Sequence, residues 1–369
     1  QLESSAAMAA LTVATGKTEA QFDLVLDLSS PPILRSEILP PGYYAPADAA
    51  ALQQALRELP TLVGEFEKPR YFRYNASICA HGRSGITACT RCLDTCPTDA
   101  IISIGDSIEV DPKLCQGAGS CAAVCPTGAI SYAYPQLGDT LQRLRTLLKS
   151  YRQEGGDRAV LLLHDAQDGR RRLATLVQQL PENVIPFEIE ELGSAGMDTW
   201  LAALSYGASA LWLLVTPGVP VSVMTAIEAQ VNIARAILEG MGYPAEVLQI
   251  SGPDAGALSQ LFDSRLPVFA ADYAEFAALD EKRTVIRLAV DHLYEQAPAP
   301  RPLVSLPAGS PFGEVEISAE RCTLCMACVS QCPANALSAG DEKPQLKFIE
   351  ANCVQCGLCC RTCPEDAIA

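Results

Sequence analysis

The chain has 369 residues, with 43 Asp and Glu against 27 Lys and Arg and a formal net charge of −16 at pH 7. That balance excludes a nucleic-acid binder, which needs a basic face, while the length leaves room for two or three domains. Sixteen cysteines are far too many for an ordinary enzyme, and they lie in two groups, Cys79 to Cys125 and Cys322 to Cys363, with none between.

The chain opens at Gln1 with no charged-then-apolar signal region. Apolar runs such as Ala208 to Val215 are short of a membrane span, so no membrane insertion is expected. Many thiols without an export signal point to the reducing cytosol, and the expected location is cytoplasmic. Both ends read as cuts: Gln1 is not a natural start, and Ala369 follows directly on the last predicted helix seed. A closing β-strand is missing after Ile368.

Residues 1–76 predict a packing segment. It has one strand, Phe22 to Leu28, a Pro-rich passage around Pro31, Pro32, Pro40 and Pro41, and a helix from Asp48 to Leu59 with Pro46 and Asp48 as start signals. No chemistry is visible there.

Residues 77–138 hold the first cysteine group. The reference pattern is C-x2-C-x2-C-x3-C-P, a run that wraps [4Fe–4S] clusters, its fourth thiolate crossing to the neighbouring cube. Cys89, Cys92 and Cys96-Pro97 are in register. The register position of the first cysteine is Ile86, and the nearest earlier one is Cys79, beyond an insertion from Ala80 to Ala88. Small residues in that insertion let it loop out and return Cys79. With Cys125 crossing, one cluster takes Cys79, Cys89, Cys92 and Cys125. In the other half Cys115, Cys121 and Cys125-Pro126 are in register, but Ala118 stands where a ligand belongs. That site keeps Cys96, Cys115 and Cys121. Three thiolates suit a [3Fe–4S] cluster, or an open [4Fe–4S] cluster whose fourth iron takes water or a borrowed ligand; an empty vestigial site is the third reading.

Residues 139–300 change character. A helix over 139–155, basic on one face, leads through Gly155-Gly156 into alternating strands and helices. Strands are predicted at Ala159 to Leu163, Val184 to Ile189, Ala210 to Val215 and Glu246 to Ile250. Helices are predicted over Leu173 to Leu180, Asp198 to Tyr206, Ser222 to Met241 and onward to Gln296. Continuous apolar strands between helices imply a parallel sheet covered on both faces, a flavodoxin-like α/β domain. No glycine-rich phosphate loop follows any strand. The loop Thr216 to Pro220 lies at a strand's carboxyl end, where α/β ligands bind, yet it carries no acid, base or nucleophile. His164-Asp165 reads as a structural pair, since no third partner is in view. This domain is expected to hold the two cysteine modules apart.

Residues 301–369 follow a Pro-rich linker and carry the run twice, complete. Its halves are Cys322, Cys325, Cys328 and Cys332-Pro333, then Cys353, Cys356, Cys359 and Cys363-Pro364. Crossing assigns one [4Fe–4S] cluster to Cys322, Cys325, Cys328 and Cys363, and another to Cys353, Cys356, Cys359 and Cys332. Zinc sites pair two C-x2-C units over a longer spacer, and disulfide frameworks belong to small secreted chains. Cys360 lies outside the register as a spare thiol. Each Cys-Pro is expected to turn the chain into a short helix. Three [4Fe–4S] clusters are therefore assigned, with the Cys96/Cys115/Cys121 site beside them.

Both cysteine groups resemble two-cluster bacterial ferredoxins, which implies α+β ferredoxin-like modules at both ends of the α/β domain. The middle, with Gly207-Ala208 and the stretch Ile237 to Pro244, is similar to the delta subunit of methyl-viologen-reducing hydrogenase, but lacks the cysteines of that family's own cluster site. The whole order resembles polyferredoxin-like iron–sulfur proteins encoded beside molybdenum or tungsten formate dehydrogenases. In them, too, the insertion with Cys79, His81 and Gly82 precedes Cys89. The resemblance implies electron transfer to or from a redox partner such as formate dehydrogenase. Its rivals are an oxidoreductase subunit whose α/β domain binds flavin or nucleotide, and an assembly factor in which clusters are structural.

Overall fold

The computed structural model describes residues 22–65, 67–252, 262, 272–276, 279–340 and 343–369. In the N-terminal segment the predicted strand shrinks to β1 (Val25–Leu26), paired in parallel with β2 (Tyr43–Tyr44). Helix α1 (Ala49–Glu58) starts where expected, because the Asp48 side chain accepts from the Ala51 N–H at 2.8 Å. The segment packs on the first cysteine module: the Ile38 N–H donates to Pro97 O at 3.0 Å and Ser36 Oγ to Asp99 Oδ2 at 2.9 Å.

The first module begins earlier than its cysteines. Strand β3 (Phe72–Tyr74) pairs antiparallel with β8 (Ile130–Tyr132), and β6 (Ile101–Ser103) with β7 (Ile108–Val110). Between them lie β4 (Gly82–Arg83), β5 (Ile86–Thr87) and the short helices α2 (Arg91–Asp94) and α3 (Ser120–Val124). Phe72, Ile101, Ile108, Ala129 and Ile130 form a small apolar core, and the cysteines pack against it.

Helix α4 (Leu137–Gln153) leads into the sheet, whose strands are β9 (Val160–Asp165), β10 (Val184–Ile189), β11 (Ala210–Leu214) and β12 (Leu248–Ser251). Their order is β10-β9-β11-β12, all parallel, that of the first four strands of a flavodoxin-type sheet. Alternation along β9 sends Leu161 and Leu163 to one face, and Val160 and Leu162 to the other. The first face is covered by α4, α6 (Met197–Ser205), α7 (Val221–Gly240) and α8 (Lys282–Glu295); the second faces Leu173 and Leu176 of α5 (Asp168–Leu176). Every residue of α6 is buried. Helix α7 is long and apolar enough to cross a membrane by length and composition, but its buried side, including Ile227, Val231 and Ala234, joins the core over the sheet. The helices expected between Ile250 and Gln296 fall partly outside the described residues; α8 is the last of them.

Helix α8 ties the sheet domain to the first module. Lys282 is buried, and its Nζ donates to Ala122 O at 2.8 Å and to Ala123 O, with the Asp198 carboxylate of α6 at 3.9 Å. Lys282→Met leaves Asp198 buried without its cation. A loss of about 3–5 kcal/mol is expected, read as a lower urea midpoint at unchanged slope; a midpoint within about 0.5 kcal/mol of the parent would rule the tie out.

The second module repeats the first with α9 (Ala327–Gln331), β13 (Leu337–Ala339) antiparallel to β14 (Leu346–Phe348), and α10 (Leu358–Thr362). The closing strand thought missing is begun: Ile317 bridges Ile368, and Glu316 and Ala369 exchange hydrogen bonds at 3.1 and 3.0 Å. The pairing matches that of Phe72–Tyr74 with Ile130–Tyr132.

The sheet domain does not hold the modules apart. Arg361 Nη1 of α10 donates to Thr87 O at 2.7 Å, and Gln331 Nε2 to Ser84 Oγ at 3.0 Å.

Candidate metal centres

The four cysteine half-sites share one local design. A helix of four or five residues ends at the Cys-Pro, and the third residue after that cysteine has positive φ: Asp99 (51°), Gly128 (76°), Asn335 (51°) and Asp366 (45°). Asp, Asn and Gly tolerate that left-handed conformation best. It also stops a helix, so the short helix predicted after each proline is instead a turn leading into β6, β8, β13 and the Ile368 bridge. The helices lie before the prolines.

A second signature lies inside the loops. The residues on either side of the middle ligand have positive φ in both complete runs: Leu324 (58°) and Met326 (60°) around Cys325, Gln355 (50°) and Gly357 (80°) around Cys356. Around Ala118 the same positions are Gly117 (80°) and Gly119 (78°). The loop that lost a ligand keeps the wrapping backbone. It is also fixed from outside: a Cβ on Gly117 would lie 2.6 Å from the Tyr71 ring, and one on Gly119 2.5 Å from Ser194 Cα.

The predicted insertion is a hairpin. Ser84 (φ 55°) and Gly85 (φ 79°) form the two-residue turn between β4 and β5, the positive-φ pair that such hairpins need. Cys89 N–H donates to Ala80 O at 3.3 Å, so the ladder runs to the ligands and returns Cys79 beside Cys89. His81, missed as a site residue, is buried beneath it. Its Nδ1 lies 2.8 Å from Cys89 O and its Nε2 2.7 Å from Ser103 Oγ. The signal for it was the lone aromatic ring in the insertion from Ala80 to Ala88.

The fold brings the register cysteines into four groups. Burial pushes the Cys92 thiol up to about 12, with charge on Cys125, Cys89 and Cys79 adding to it; these four form one group. Cys121 is driven well above the ordinary thiol range by burial, then by Cys96 and Cys115, its two companions. Cys322, Cys325, Cys328 and Cys363 line one cavity; Cys332, Cys353, Cys356 and Cys359 line another. Among the described residues no three His, Cys, Asp or Glu side chains converge at the distance of a single ion; the thiols ring open cages. Cys89, Cys92, Cys115, Cys121, Cys328, Cys353, Cys356 and Cys359, which burial pushes up, resist ionising alone, and soft thiolates in such sets suit iron–sulfur clusters.

Hydrogen bonds reach the crossing sulfurs. Ala336 N–H points at Cys332 Sγ at 3.2 Å and Ala367 N–H at Cys363 Sγ at 3.3 Å. In the first module hydroxyls stand there instead, Thr98 3.4 Å from Cys96 and Thr127 3.6 Å from Cys125. Donors to sulfur raise the potential of a cluster. Cys360 lies 4.0 Å from Cys359, at the cavity edge. Cys360→Ser should leave iron content unchanged; loss of about four irons would make it a ligand.

With this geometry in hand, two family models match. The 4Fe-4S dicluster domain covers residues 321–367, and the 4Fe-4S binding domain residues 108–131. The chain carries two ferredoxin-type 4Fe–4S modules. It is 50% identical over 40 residues to Hydrogenase-4 component A of Escherichia coli K12, which is 11% of this chain and 20% of that protein. It is 46% identical over 39 residues to a ferredoxin of Alicyclobacillus acidocaldarius subsp. acidocaldarius, and 44% identical over 39 residues to a ferredoxin 7Fe of Hydrogenibacillus schlegelii, in each case 11% of this chain. The chain thus spans half the length of each ferredoxin and a fifth of the hydrogenase component.

The sheet domain has a cavity of about 200 Å³ where its strand order reverses, between Asp165 after β9 and Thr216 to Pro220 after β11, with Ala118 on its wall. It is smaller than the ~300–1,000 Å³ of typical cofactor sites, and Asp165, Asp168 and Glu191 line it. Burial, then Asp165, Glu190 and Asp168, push Glu191 up to about 7. The start of α7, where a phosphate would sit, is taken by Glu37, whose carboxylate accepts from Ser222 N–H at 3.1 Å and from Ser222 Oγ at 3.2 Å. A flavin or nucleotide phosphate does not fit. His164 is buried with Nδ1 3.0 Å from Asp165 O, while the Asp165 carboxylate accepts from the N–H groups of Gln167 and Gly169. The Asp165 carboxylate thus caps the start of α5.

Proposed function

We propose that this chain is an iron–sulfur electron-transfer protein, holding [4Fe–4S] clusters at Cys79/Cys89/Cys92/Cys125, Cys322/Cys325/Cys328/Cys363 and Cys332/Cys353/Cys356/Cys359. The Cys96/Cys115/Cys121 group holds a [3Fe–4S] cluster. The observation that carries the reading is the grouping of all fifteen candidate cysteines into four cages linked in pairs by crossing residues. The wrapping backbone kept around Ala118 favours an occupied three-thiol site over an empty one.

When bound, the clusters supply one-electron storage. The chain's own residues set its energy: the Ala336 and Ala367 amides and the Thr98 and Thr127 hydroxyls favour the more negative, reduced state. The partner is a redox enzyme of the reducing cytosol, a formate dehydrogenase or a hydrogenase-type complex, presenting a basic patch to this acidic chain.

Anaerobically purified protein should contain ~15 irons per chain, from three four-iron clusters and one three-iron cluster. All should cycle in an EPR-monitored redox titration. Clusters that do not cycle would favour the assembly-factor reading, and a yellow apoprotein after iron removal the flavin reading.

A further inference from the structure

Besides the contacts of Gln331 and Arg361 with the Ser84–Thr87 hairpin, the modules approach at a second place, where guanidinium groups stand. Arg91 of α2, two residues beyond Cys89, points Nη2 at Ser310 O and Gln355 O, each at 3.4 Å. Arg283 of α8 donates to Ala351 O at 3.0 Å, Cys353 O at 2.9 Å and Pro311 O at 3.0 Å, and lies over the Phe312 ring at 4.7 Å. Two cations from different parts of the chain thus converge on one loop, Ala351 to Gln355. The Cys89 loop and the Cys356 loop face each other across this seam, since Arg91 reaches the carbonyl of Gln355, the residue before Cys356.

Clusters with four thiolates are anions. Two anions brought together away from water repel, and cations placed between them offset that repulsion. A guanidinium is suited to this, since it stays charged and bonds several carbonyls at once.

We propose that the four cages form one path, in the order Cys322/Cys325/Cys328/Cys363, Cys332/Cys353/Cys356/Cys359, Cys79/Cys89/Cys92/Cys125, Cys96/Cys115/Cys121, with the step between modules running from the Cys356 loop to the Cys89 loop and Arg91 and Arg283 as its positioning residues. The inference rests on the cages holding clusters, as proposed above. The first cage is the port to the partner, because Cys325 is exposed. At the intermodule step one electron leaves the inner site of the second module and enters the Cys89 site; no bond changes and no proton moves. The electron comes from a one-electron donor protein, or from dithionite in the laboratory.

An Arg that serves one cluster, as Arg283 does at the Cys353 loop, shifts one potential, whereas a cation between the two sites, as Arg91 is, shifts one in each module. The test is an EPR-monitored dithionite titration of Arg91→Gln, Arg91→Lys and Arg283→Gln, each first shown to carry the parent's iron. Iron missing from the parent itself would defeat the cluster assignment and not the seam. Arg91→Gln should lower two midpoint potentials, Arg91→Lys should restore most of both shifts, and Arg283→Gln should lower one of the same two. In a background with Cys353, Cys356 and Cys359 replaced by Ala, which leaves the inner site of the second module a single register thiol, Arg91→Gln should shift only one. A single midpoint shifted by Arg91→Gln in the otherwise unaltered protein, or none, overturns the seam. So does a pair of shifts that survives in the triple-Ala background.

Discussion

Cys363→Ala should leave three thiols, Cys322, Cys325 and Cys328, at a cage about forty residues away in sequence and convert it to a three-iron site, a loss of about one iron per chain, while the cage nearest to it in sequence keeps its iron. Cys332→Ala should do the same to the Cys353/Cys356/Cys359 cage. The reason is the lining of the two cavities, in which each run contributes three thiols to one and its fourth to the other. The Cys-Pro turns carry the fourth sulfur across, fixed by the Asn335 and Asp366 backbone and by the amides at Cys332 and Cys363. The two losses can be told apart, because only the Cys322 cage includes an exposed thiol and should react faster with a water-soluble oxidant. If Cys363→Ala instead spared the exposed cluster, the crossing would be wrong.

The second large effect concerns Ala118. The oxidised protein should show a sharp EPR signal near the free-electron position, because a three-iron cluster is paramagnetic when oxidised and a complete four-iron cube is silent. Mild reduction should remove it. Ala118→Cys should abolish the signal and add about one iron per chain, since the residue sits at the register position of Cys325 and Cys356 and the backbone around it already has their conformation. An oxidised protein without the signal, with iron unchanged in Ala118→Cys, would mean an empty site and a path of three clusters.

Much of this was legible in the residues. Cluster ligation needs thiols at fixed short spacing, so the register named fourteen cysteines, with Cys79 added from beyond its insertion, and the break at Ala118 appeared as a break in the pattern. The parallel sheet was equally visible, because strands buried on both faces read as unbroken apolar runs; Val184–Ile189 matches to the residue. The turns after each Cys-Pro were misread because Thr-Asp-Ala-Ile and its relatives resemble helix starts. Only the positive φ at Asp99, Asn335 and Asp366 reveals a turn. What no local pattern could reveal was the docking. Lys282 and Arg283 read as an ordinary charged pair opening a helix. Their neighbours are residues 122–123 and 351–353, more than a hundred and about seventy positions away. Contacts that distant in sequence leave no periodicity behind. They follow from how three parts of the chain bury their remaining polar groups against one another, and that is settled only when the parts meet.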